Sequence, residues 1–187
     1  MTQADRPLLL EIDDETRSGQ LDRVERWLAT TRVLQSGYRQ LLDDTVDDIT
    51  EPHLRAYLTE LRDVAREHED RVGDLYRAFG REPTQPGTLM SVGATLLAKT
   101  RQALGHMEGA AGGARTGSWR KLRELMLSNL DAIAGYAVTE QLGLALGIPA
   151  VVDVTFPVVR RKTQDQLLLQ EYLLEMATNA ILLDKDL

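Results

Sequence analysis

Leu54, Leu58, Leu61, Ala65, His68, Val72, Leu75 and Phe79 recur at steps of three and four through one uninterrupted segment, a spacing that puts all eight on one buried face of an α-helix about seven turns long. A face of that length needs other helices of comparable length to cover it. Thr50 precedes the segment, Pro52 is tolerated in its first turn, where amide protons have no partners in any case, and Gly80 supplies a left-handed stop.

The covering helices are legible on either side. A first helix is expected from about Ser18, as N-cap, to about Val46, with Leu21, Val24, Leu28, Thr31, Tyr38 and Leu42 inward. A third follows Ser118, with Leu122, Leu125, Asn129, Ile133, Tyr136, Glu140 and Leu144 down one side, and closes at Gly147. A fourth occupies most of Pro149 to Leu183, with Pro157 marking either a kink or its start. Residues 81–117 break the rhythm: REPTQPGT is turn chemistry, residues 88–104 read as a shorter amphipathic helix, and GHMEGAAGGARTG is a glycine-rich link. Short, long and short connections imply two antiparallel hairpins joined by a crossover. The chain is therefore expected to be all-α, with residues 1–17 as an N-terminal tail and residues 18–187 as one four-helix bundle domain.

Composition narrows the functional classes. A net charge of -7 opposes a nucleic-acid partner, which needs a basic surface. With no cysteine, disulfides, thiolate nucleophiles and cysteine-ligated metals are excluded. The first twenty residues hold only a three-leucine run and are acidic beyond it, which argues against a secretory signal and for the cytoplasm. The most apolar window, Leu142 to Val159, is interrupted by Gly147, Pro149, Asp153 and Pro157, so no membrane span is expected.

The helix order, together with AREHEDRVGDLYRAFGREP in the second helix and LDAIAGYAVTEQLGLALG in the third, resembles the ferritin-like superfamily, including bacterial members associated with stress. The resemblance covers roughly residues 20 to 183. It implies a four-helix bundle with a long, helix-containing connection between its second and third helices. For members with a di-metal centre it implies one glutamate from each of two helices and Glu-x-x-His from each of the other two. His68 matches the histidine of such a motif, but the residue three before it is Ala65. Antiparallel pairing about the first turn sets His68 level with Thr31, which cannot replace a glutamate. If the long connection crosses the bundle, residues 136–140 and about 157–162 lie at the same height. Glu140 could then join His68, whereas Arg160, Arg161 and Lys162 would repel a metal. If it does not cross, Asn129 and Gln166 come level, and neutral amides are poor ligands for redox metals.

His68 and Glu140 are thus the candidate metal ligands, at most a vestigial pair. The competing readings are a hydrogen-bonded core histidine and an internal ion pair of Glu140 with Arg160 or Arg161, and these are preferred. In the run Glu67, His68, Glu69, Asp70 only His68 faces inward, and the outer acids are interleaved with arginines. His53 and His106 are expected at the surface. Tyr38, Tyr57, Tyr136, Tyr172, Trp27 and Trp119 are assigned to packing. No nucleophile elbow, phosphate loop or HExxH pattern is present. The reading favoured is a non-catalytic structural or interaction protein with no cofactor. It is expected to be a homo-oligomer, because the 88–104 helix needs an apolar surface to cover. The alternatives are a metal-dependent oxidoreductase or iron- or manganese-handling protein, and a bundle that binds an apolar small molecule whose identity the sequence does not give.

Overall fold

The structure, a computed structural model, describes residues 13–83, 117–183 and 185. These form four long helices and, among the described residues, no strand: α1 (Asp14–Val46), α2 (Pro52–Ala78), α3 (Gly117–Ala145) and α4 (Ala150–Leu182). The expected all-α bundle is what the chain forms. The predicted helix at 88–104, the glycine-rich link and His106 lie outside the described residues.

Local chemistry sets the ends. Asp13 caps α1 by accepting from the Thr16 amide at 2.7 Å, so the helix begins about a turn earlier than the expected start at Ser18. Glu51 caps α2 ahead of Pro52, accepting from the Leu54 amide. Gly80 and Gly147 take φ of +67° and +69° just beyond α2 and α3. In each case the following amide reaches back into the last turn, Arg81 to the Tyr76 carbonyl at 2.9 Å and Ile148 to the Gly143 carbonyl at 2.8 Å. Both are Schellman closures, which a residue with a Cβ would strain. Pro157 neither starts α4 nor ends it. It sits exposed inside a continuous helix.

Cross-helix pairs fix the directions. Asp22 meets Arg81 and Arg39 meets Glu69, so α1 and α2 are antiparallel. Trp27 donates to the Gly135 carbonyl while Lys121 reaches Asp48, so α1 and α3 are antiparallel as well. Tyr57 meets Asp165 and Glu60 meets Arg161, pairing α2 with α4 in the same sense. It follows that α2 and α3 run in the same direction on opposite corners of the bundle, and residues 83 and 117 lie at opposite ends of it.

The interior is layered. One apolar cluster, including Leu42, Leu58, Leu122 and Leu169, fills the end nearest the α1–α2 turn. A second, including Leu28, Leu75, Tyr136 and Val151, fills the other end. Between them every helix contributes buried polar side chains, among them Gln35, His68, Asn129, Lys162 and Asp165. The outer surface is uneven too. Among the described residues, all large hydrophobics that are exposed belong to α3, α4 or Leu183, while α1 and α2 cover themselves with mutually paired charges such as Arg66 with Asp43 and Asp63. No helix is long and apolar enough to cross a membrane among the described residues.

Candidate functional site

The polar layer is built from residues that occupy apolar positions of their helices. On α4 the buried succession Val158, Lys162, Asp165, Leu169 keeps steps of four, three and four, so a lysine and an aspartate take the places of two core residues. On α1, Gln35 lies between Thr31 and Tyr38 in the same manner, and on α2 it is His68.

Lys162 stands at the centre, 1 % exposed. Its Nζ donates to Asn129 Oδ1 at 3.3 Å and lies 4.0 Å from the centroid of the Tyr38 ring, a cation–π geometry. Asn129 is itself held by its amide nitrogen, which donates to the Lys162 carbonyl at 3.0 Å and to Gln166 Oε1 at 2.9 Å. Burial disfavours the charged ammonium and lowers its pKa to about 7, with Asp165 opposing the shift. Asp165 does not touch the ammonium by a direct ion pair. Its carboxylate accepts from Arg161 Nε at 3.1 Å and from the Tyr57 hydroxyl at 3.1 Å, and Arg161 extends the chain to Glu60 at 2.8 Å.

His68 is buried and its pKa is lowered to about 3, first by desolvation and then by Lys162, Arg161 and Arg71. It is a neutral imidazole at physiological pH. Glu140 is not among the groups that act on it. The backbone carbonyl of His68 accepts from the Tyr136 hydroxyl. Across from it, Gln35 donates to the Ala65 carbonyl at 2.8 Å, leaving its Oε1 without a partner, and the Tyr38 hydroxyl is likewise buried without one.

The sequence-derived residues are thus separated in role. His68 faces inward as expected. Glu140 is half-buried, and its Oε2 accepts from the Thr155 hydroxyl at 2.8 Å, not from Arg160 or Arg161 as expected. Arg161 is committed to Glu60 and Asp165 instead. Thr31 donates to the Gly135 and Trp27 carbonyls, and Gln35, one turn along α1, is the residue that reaches α2 beside His68. Glu140→Gln is expected to change stability by less than about 0.5 kcal/mol, since a half-buried carboxylate with one hydroxyl donor contributes little net, and urea denaturation of both proteins would check it. Gln35 and Asp165 are missed by the sequence reading; polarity at an inward phase, the signal that picks out His68, marks Gln35 between Thr31 and Tyr38, whereas the phase of α4 is not fixed by its sequence.

The donor set does not fit a pair of metal ions. Among the described residues no three His, Cys, Asp or Glu side chains converge. The acid in the layer, Asp165, is already paired with Arg161 and hydrogen-bonded by Tyr57, and a lysine amine holds the centre. Two divalent cations need several anionic oxygens turned toward one point. As for small molecules, a depression of ≈ 320 Å³ lies on the outer side of α1, lined by Asp22, Glu25, Arg26 and Ala29, and its lining is too charged to suit an apolar ligand.

No family model and no curated protein matches the chain. Among solved structures it is similar to a protein from Xanthomonas campestris pv. campestris, with a TM-score of 0.66 at 12% identity, covering 88% of this chain and 98% of that one. A likeness at that identity concerns the fold alone.

Proposed function

We propose that this chain is a ferritin-like bundle without a complete di-metal centre, acting as a structural or interaction protein, cytoplasmic, self-associating and connected with stress responses. The observation that carries this reading is the Lys162 ammonium, fully enclosed at the level where a ligand set would have to converge. The order of the helices adds support: two antiparallel hairpins whose second and third members run the same way is the arrangement that one long crossover produces. A lysine amine that carries a proton below about pH 7 occupies the place a bound cation would take, so the layer has a basic group where oxygen-activating chemistry would need acidic ones.

Metal content tests the proposal. Protein purified without affinity metals or chelators from iron- and manganese-supplemented cells is expected to carry less than about a tenth of an equivalent of either metal by elemental analysis. Stoichiometric iron or manganese, lost on substitution of His68 or Glu140, would overturn it in favour of a metal-dependent oxidoreductase or metal-handling protein.

A further inference from the structure

The exposed side of α4 has a pattern that the other described residues leave unused. Phe156, Leu167, Leu174 and Ile181 are 57%, 65%, 66% and 51% exposed. They stand three, two and two helical turns apart, so they lie along one line of the helix, with the exposed Thr163 and Gln170 between them. Leu130 of α3, 52% exposed, lies beside the stripe, because its neighbour Asn129 is bonded to Lys162 and Gln166. Four large apolar side chains exposed along one line of a helix are more than singly scattered surface residues.

The charges beside the stripe say what covers it. Arg160, Glu171 and Glu175 are exposed and share its flank on the α2 side, where their neighbours Arg161 and Tyr172 touch Glu60 and Tyr57. Among the described residues none of the three makes an ion pair, whereas the arginines of α1 and α2 beside Asp43, Asp63 and Asp74 are paired within the chain. Along α4 the order is cation, leucine, anion, and the midpoint between Arg160 and Glu175 falls at Leu167 and Leu168. A helix with that order is complementary to itself turned end for end. When two copies lie antiparallel about a two-fold axis at the midpoint, Leu167 meets Leu168 at the centre, and each Arg160 meets Glu175 of the other copy with Glu171 one turn closer in.

We infer that the α4 face, with Leu130 of α3 at its edge, is the contact between two copies of this chain, packed antiparallel about an axis near Leu167. This rests on the self-association proposed above and specifies its surface and symmetry. The same flank excludes the parallel arrangement, which would set Arg160 against Arg160 and Glu175 against Glu175.

Sedimentation equilibrium of the full-length chain tests it. Wild type at micromolar concentration is expected at twice the 20.9 kDa chain mass. Leu167→Glu with Leu174→Glu, both at exposed positions and so without cost to the core, is expected to give the single-chain mass with unchanged helical circular dichroism. Arg160→Glu is expected to weaken the dimer by about tenfold at low salt, and adding Glu171→Arg and Glu175→Arg to the same chain is expected to restore it. A wild type that stays monomeric at ~100 μM would overturn both this inference and the self-association it rests on. If Leu167→Glu then lowers the stability of that monomer, a segment of the same chain is the cover and a second copy is not. An oligomer indifferent to the two leucine substitutions would overturn this face alone. A dimer unchanged by Arg160→Glu would overturn the antiparallel arrangement.

Discussion

Lys162→Met is expected to stabilise the bundle by about 2–4 kcal/mol at pH 6, an unusual sign for a substitution at a fully buried position. The ammonium loses its hydration on folding, and in return donates one hydrogen bond to Asn129 Oδ1 and meets the face of the Tyr38 ring. Its pKa, lowered from 10.5 to about 7, records that imbalance. The unfolded chain keeps the proton up to about pH 10.5 while the folded chain gives it up near 7, so between those values the unfolded state binds more protons and stability rises with pH. Below about pH 7 both states are charged and the full penalty applies. The advantage of the methionine variant should therefore be greatest at pH 6 and shrink steadily toward pH 10. Urea denaturation of both proteins at intervals across that range measures the difference, in which the other titrating groups cancel. A methionine variant less stable than wild type at pH 6 would show that the cation is held by more than it loses.

His68 adds an acid arm of the same sign. Its basicity falls from 6.5 to about 3 on folding, so stability contributed by the neutral ring is lost as pH drops from about 6.5 toward 3. The two groups are coupled through one layer, since the Lys162 charge is among the causes that hold His68 neutral. Within that layer a proton on one discourages a proton on the other.

How far the sequence reveals this depends on the contrast between inward and outward residues. In α2 the contrast is sharp, and Leu54 to Phe79 emerge buried in the order their spacing implies, His68 included. In α3 the large residues mislead. Ile133 and Leu144 look like inner positions, yet Leu144 is 53% exposed, because Gly135, Thr139 and Gly143 let neighbouring helices approach more closely than leucines would. That rotation of the buried face carries Glu140 out of the line of the layer. In α4 the triplet Leu167, Leu168, Leu169 is apolar all round, and its single buried member, Leu169, is distinguished by no feature of its own. The phase of α4, and with it the inward direction of Asp165, becomes legible only once Tyr57 and Asn129 are seen against it. Depth follows from connection lengths only in part: the Tyr136 hydroxyl reaches the His68 carbonyl, as a crossing connection implies, but Lys162 is bonded to Asn129, which with Gln166 belongs to the other arrangement.

The close approach at Gly143 carries the largest expected loss. A Cβ there would fall 2.5 Å from Val151 Cβ, 2.7 Å from Cγ1 and 3.0 Å from Cγ2. Val151 is fully buried and β-branched, one residue into α4, so its Cβ moves only if the helix moves. The turn between Ala145 and Ala150 is short and closed by the Gly147 Schellman bonds, which leaves the two helix ends little freedom to part. Gly143→Ala is accordingly expected to cost about 2–3 kcal/mol, net of the ~1 kcal/mol that alanine gains over glycine inside a helix. At Gly135 a Cβ would meet Thr31 and Leu34 side chains at 3.3–3.4 Å, a crowding that a shift of a few tenths of an ångström relieves, so Gly135→Ala should cost clearly less than Gly143→Ala and serves as the comparison. Removing the obstruction should rescue the variant: Val151→Ala alone is expected to lose about 1–2 kcal/mol of burial, and combining it with Gly143→Ala should cost less than about 1 kcal/mol more. Urea denaturation followed by helical circular dichroism gives all four values. If Gly143→Ala matched wild type, or if Val151→Ala failed to relieve it, contact with Val151 would not be what keeps that position free of a side chain.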